Sequence, residues 1–151
     1  MRERTLCRRQ MQNDLMKVYR EVVADCPMKT TQEEVYDMVV NHPAPRFYVD
    51  PRRAHAVISP MMRGDRSALD KLIPLKRKMY EDLFSTVLMV SQKKNCWGKK
   101  LYYLLREAVL EPAPRFYIDA KRMGQIWREK TIESRQAKRK KIGKPYEEKH
   151  F

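Results

Sequence analysis

Glycine is scarce, with four in 151 residues. That scarcity argues against a loop-rich or β-rich chain and leaves no Gly-rich loop to cradle a phosphate. No run of about 18 apolar residues occurs, so no membrane-crossing helix and no membrane partner are expected. The opening MRERTLCRRQ is charged and has no apolar stretch behind it, which speaks against a signal peptide. Cys7, Cys26 and Cys96 are odd in number and widely spaced, with no CxxC and no neighbouring histidine. They read as buried, reduced thiols in a cytoplasmic protein. His42, His55 and His150 stand near no cysteine or carboxylate pair at metal-ligand spacing. The sequence therefore offers no catalytic residues, no metal site and no cofactor, and a non-enzyme is expected.

Acids are also in short supply: 19 Asp and Glu against 33 Lys and Arg, a net charge of +14. Such a surplus repels copies of the chain and attracts polyanions, nucleic acid first among them. Apolar residues at 42% still suffice for a core, while 34% charged residues require much of the surface to stay wet.

The chain does have a repeat. PAPRFYVD (Pro43 to Asp50) returns as PAPRFYID (Pro112 to Asp119), at an offset of 69. Upstream, RQMQNDLM from Arg9 lines up with RKMYEDLF from Arg77 at an offset of 68, and Cys26 with Cys96 at 70. One-residue slips of this kind are what loops tolerate. The sequence predicts an all-α fold made by tandem duplication of a three-helix unit, a helix-turn-helix-like variant with a basic C-terminal tail. The first unit spans 1–60, a linker 61–71, the second unit 72–130 and a basic, partly disordered tail 131–151. Two copies are too few for an open solenoid, so a pseudo-symmetric pair is expected.

Helical periodicity supports each unit. Met11, Leu15, Val18 and Val22 recur at spacings of three and four, as do Met79, Leu83, Val87 and Val90. Thr31 with Glu34 forms a capping box ahead of Val35, Met38 and Val39. Leu101, Leu104, Leu105 and Ala108 take the same part in the second unit. Gly64 is placed to stop a helix.

Two prolines in each PAPRFY motif end the second helix and extend the chain. Asp50 and Asp119 then cap the third helices, with Pro51 at a first helical position. Val49 and Ile118 occupy the staple position before the cap, facing Ala54 and Met123. Phe47 and Phe116 are expected to pin the hinge onto the core, with Tyr48 and Tyr117 half exposed. Arg46 and Arg115 have two openings: holding the hinge through carbonyls or a buried acid, or clamping a phosphate.

Helix, turn and basic helix invite a helix-turn-helix comparison. The candidate reading helices run from Asp50 to Ser59, presenting Arg52, Arg53 and His55, and from Asp119 to Lys130, presenting Lys121, Arg122, Gln125 and Arg128. Arg and Gln suit base edges, and Lys suits phosphates. The stretch from His42 to Val49 is longer than the turn of about three or four residues in a standard motif, so this one is at best a variant. Residues 120–151 hold eleven Lys or Arg and four Glu, 11 − 4 = +7, half the net charge in a fifth of the chain. Lys138, Arg139, Lys140 and Lys141 are the densest part, either a phosphate-contact tail or a solvated helix end.

The string HPAPRFYV at His42 to Val49, with its echo from Glu111 to Ile118, resembles a hinge in small proteins of Bacteroidetes and their phages or mobile elements. The resemblance covers the hinge and little else. It implies no catalytic residues and an accessory role. The expectation is a non-enzymatic nucleic-acid-binding accessory or regulatory protein, with DNA favoured over RNA. The alternative is a phage or mobile-element structural protein that binds an acidic protein partner.

Overall fold

A computed structural model describes the backbone of residues 3–93 and 100–148 and the side chains of residues 6–92 and 100–140. Cys96, His150 and the Lys141 side chain lie outside the described residues. Among the described residues the regular elements are all helices: α1 (Glu3–Asp25), α2 (Gln32–Asn41), α3 (Pro51–Met62), α4 (Ser67–Asp70), α5 (Pro74–Lys93), α6 (Leu101–Ala108) and α7 (Ala120–Glu148).

The caps form as the sequence requires. Thr31 Oγ1 accepts the Glu34 amide at 3.2 Å and starts α2. Asp50 accepts the Arg52 amide at 3.0 Å, with Pro51 at the head of α3. Asp119 accepts the Arg122 amide at 2.7 Å and starts α7. At the end of α3 the chain reverses at Gly64, whose φ is +81°. Gly64 N–H donates to the Met61 carbonyl at 3.0 Å and Asp65 N–H to the Pro60 carbonyl at 2.9 Å, the paired bonds of a Schellman stop. The segment 61–71 does more than link. Met61 and Met62 finish α3, and α4 places a fully buried Leu69 in the core.

The two PAPRFY segments cross each other. Ala44 and Ala113 exchange both backbone hydrogen bonds at 2.9 Å, an antiparallel bridge between the hinges. Phe47 N–H donates to the Val109 carbonyl at 2.9 Å, and Phe116 N–H to the Val40 carbonyl at 3.0 Å. Each contact thus has its counterpart in the other copy of the motif. The rings repeat the exchange: Phe47 stacks on Tyr117 with centroids 6.2 Å apart, and Tyr48 on Phe116 at 5.9 Å. Phe47 and Phe116 are wholly buried, each worth about 2–3 kcal/mol of apolar burial.

This crossing decides the packing. The prolines hold each hinge extended, so the third helix is carried past the two helices that precede it. α3 packs on α6, α5 and α4, and among the described residues it does not pack on α1 or α2. α7 packs on α2 and α1. The three-helix bodies are therefore α1–α2–α7 and α5–α6–α3, each completed by a helix from the other stretch of sequence. A compact turn between consecutive helices α2 and α3, as a helix-turn-helix needs, does not form.

The core joins both bodies through Leu15, Val39, Phe47, Leu83, Leu105, Phe116 and Ile126. Met38, expected to face inward, is 44% exposed. Cys7 and Cys26 are half-buried rather than buried. α7 meets α2 closely enough that a Cβ on Gly124 would stand 2.9 Å from the Tyr36 ring. Beyond Thr131, α7 continues as helix, with Ile132 to Lys140 exposed. From Gln125 to Ile142 the sequence has no Gly or Pro and is rich in helix formers, which carries the helix on where the sequence suggested partial disorder.

Candidate nucleic-acid interface

The α1–α2–α7 body is locked by aromatic rings. Tyr19 of α1 lies 5.6 Å from Trp127 of α7 and 6.4 Å from Tyr36 of α2, centroid to centroid. Gln32 donates to both tyrosine hydroxyls, at 2.9 and 3.1 Å. This cluster fixes the rotation of α1 against α7. Arg20 follows Tyr19, and Lys130 lies one turn beyond Trp127, so both cations are aimed by the same contacts.

Between α1 and α7 runs an open groove of about 530 Å³, lined by Asn13, Met16 and Arg20 on one side and Lys130, Thr131, Ser134, Arg135 and Lys138 on the other. Four lining residues are cationic and none is acidic. Lys130 reaches Glu133 at 3.6 Å. Arg20, Arg135 and Lys138 make no ion pair among the described residues. Thr131 donates its hydroxyl proton to the Trp127 carbonyl at 2.8 Å. Past the groove, exposed Arg139 and Lys140 continue the positive stripe.

The residues singled out in the sequence fall in three places. Lys138 joins Arg20, Lys130 and Arg135 in the groove, with Arg139 and Lys140 beyond it. Arg46 and Arg115 serve the hinge. Their Nε atoms donate to the carbonyls of Phe47 and Phe116, both at 3.1 Å. Arg46 also donates to Gln10 at 3.1 Å and lies 5.8 Å from the Tyr48 ring centroid. The remaining residues sit on α3 and the start of α7. Arg52, Lys121 and Arg128 are exposed, and His55 and Gln125 half-buried. Arg122 turns back to Gln125 at 3.3 Å and Glu129 at 3.9 Å. Arg53 opens toward a second pocket with Arg8 and Lys76. The structure does not gather the α3 and α7 residues into one surface.

The hinge tyrosines belong to the scaffold. Tyr48 donates to Asp14, and Tyr117 to Asp82 at 2.5 Å. Burial first, and then the bond to a carboxylate, holds both phenols well above the usual phenol range.

Among the described residues no three His, Cys, Asp or Glu side chains are placed to share a metal ion, and no helix is long and apolar enough to cross a membrane. Arg20, Lys130 and Arg135 drew no attention in the sequence. Arg20 shares a helix face with Asn13 and Met16 at spacings of seven and four, and Arg135 with Lys138 at three, but the pairing of α1 with α7 joins distant stretches of the chain. Compared with known protein families, curated proteins and solved structures, the chain matches none.

Proposed function

We propose that this chain is a non-enzymatic nucleic-acid-binding protein that grips the phosphate backbone of DNA in the α1–α7 groove and along the projecting part of α7. The observation that carries the reading is the groove itself: four cations from two helices converge on one open surface with no acid among them. A fold does not need that arrangement, because gathering like charges costs stability. A phosphate chain offsets the cost by releasing its counterions.

The reading is one of backbone grip rather than base readout. The stripe sets Arg and Lys beside Ser134, whose hydroxyl hydrogen-bonds phosphate oxygens as readily as bases. The finer features of the sequence fit it as proposals. The chain is a duplicated three-helix unit whose copies exchange third helices. It works in the cytoplasm, where half-buried thiols stay reduced.

The test is a titration of fluorescent duplex DNA, single-stranded DNA and RNA at two salt concentrations. Duplex affinity should fall with salt, the logarithmic slope steepening by about 0.9 for each phosphate neutralised. Affinity that ignores salt would refute the reading. Capture of one acidic protein that survives nuclease treatment, with no DNA binding, would favour the alternative partner.

A further inference from the structure

A second pocket, of about 660 Å³, opens where α1, α3 and α5 meet the crossed hinges. Its volume falls in the range of small-molecule sites, roughly 300–1,000 Å³. It lies across the line that relates the two halves of the molecule. Arg8, Met11 and Tyr48 line it, and so do their counterparts in the repeat, Lys76, Met79 and Tyr117. The α3 side adds Arg53 and Val57.

Two chemistries meet in this pocket. Met11, Met79, Val49 and Val57 form apolar walls. Arg8, Arg53 and Lys76 stand exposed around them and make no ion pair among the described residues. The one acid in the lining, Asp50, already accepts the Arg52 amide as the cap of α3. Tyr80 also lines the pocket. It is 4% exposed. Burial raises its phenol, and Arg53 opposes that rise, so Arg53 lies close enough to be felt.

We propose that this pocket binds a small organic carboxylate with an apolar body, its charged head held by Arg53, Arg8 and Lys76 and by the Tyr80 hydroxyl, its body against Met11 and Met79. A head oxygen accepts from the Tyr80 hydroxyl at the pocket wall, and three cations compensate for desolvation of the head. The site is separate from the groove of the preceding section and does not depend on nucleic-acid binding.

The test is calorimetric titration of the full chain with decanoate below its micellar concentration, beside decan-1-ol and inorganic phosphate. Decanoate should bind one per chain. Decanol has the body without the charge and phosphate the charge without the body, so each should bind at least about tenfold more weakly. Tyr80→Phe should weaken decanoate about tenfold, the worth of one hydrogen bond to a charged group. Arg53→Met, at an exposed position that folding does not require, should weaken it by a similar factor. Lys138→Glu, in the other groove, should leave decanoate binding as it is. No saturable binding up to about 1 mM, equal affinity for decanol, or unchanged affinity in both Tyr80→Phe and Arg53→Met would each overturn the proposal.

Discussion

The α1–α7 groove and the region between α5 and α3 carry residues that the repeat offsets pair in the sequence, yet their chemistry is opposite. With the repeat offset carried forward from α1 and back from α7, Arg20 corresponds to Leu88, Lys130 to Met61, Lys138 to Leu69 and Asn13 to Glu81. Only Arg135 keeps its charge, as Arg66, and there it is neutralised by Glu81 at 3.1 Å. One side is an open channel rich in cations; the other holds the buried Leu69 of α4 and, among the described residues, the Arg66–Glu81 ion pair. The basic channel is thus a feature of the α1–α2–α7 body that the other body lacks at the corresponding sequence positions.

The comparison can be broken at several points. The largest effect is expected at the crossing, where both halves depend on the same contacts. Phe47→Ala and Phe116→Ala should each cost about 3–5 kcal/mol in chemical denaturation, because each removes a wholly buried ring from a stacked pair. Their surroundings match, so the two costs should agree within about 1 kcal/mol. A wide gap between them would show that the halves are not energetically alike.

Next comes Gly124→Val, which has no matching effect in α3, where the corresponding residue is His55. The added methyls would drive into the Tyr36 ring at a site where even a Cβ is too close. A loss of about 1–3 kcal/mol is expected, with Tyr19–Trp127 packing loosened as seen in near-ultraviolet circular dichroism.

A smaller effect is tied to pH. Folding holds protons on Tyr48 and Tyr117 that the unfolded chain gives up above about pH 10. Their contribution is complete below that point and is lost progressively as pH climbs above it toward the raised folded-state values, so the denaturation midpoint should decline from about pH 10 upward. The Tyr48→Phe, Tyr117→Phe double variant should show a flatter decline over the same interval, since its hinge phenols no longer titrate.

The smallest effect is expected from Arg66→Ala. This exposed, paired residue corresponds to Arg135, and its loss should change stability by about 0–1 kcal/mol and DNA affinity not measurably. A marked fall in DNA affinity would erase the distinction between the two regions.

Much of the local structure was legible in the sequence because it depends on neighbours. Thr31, Asp50, Asp119 and Gly64 act through bonds to residues close by in the chain, and the periodic Met79, Leu83, Val87 and Val90 declare their buried face without help. The exchange of third helices was not legible. The prolines state that the hinge is extended, but its destination depends on which distant surface accepts Phe47 and Phe116. The same limit hid the groove. Lys138 stood out because it sits in a run of cations, whereas Arg20 is one arginine in a mixed helix and gains its meaning only from α7. Arg46 and Arg115 carried two readings, and their bonds to the Phe47 and Phe116 carbonyls favour the hinge.

The central claim is that the α1–α7 groove, rather than positive charge at large, grips the nucleic acid. The direct measurement is the salt dependence of duplex DNA binding for the wild-type chain and for a variant with Arg20, Lys130, Arg135 and Lys138 all changed to Ser, which retains the rest of the basic surface. The account predicts a logarithmic slope shallower by about 3–4 in the variant, close to 0.9 for each phosphate contact removed. A slope unchanged from wild type, in a variant that still folds, would contradict it.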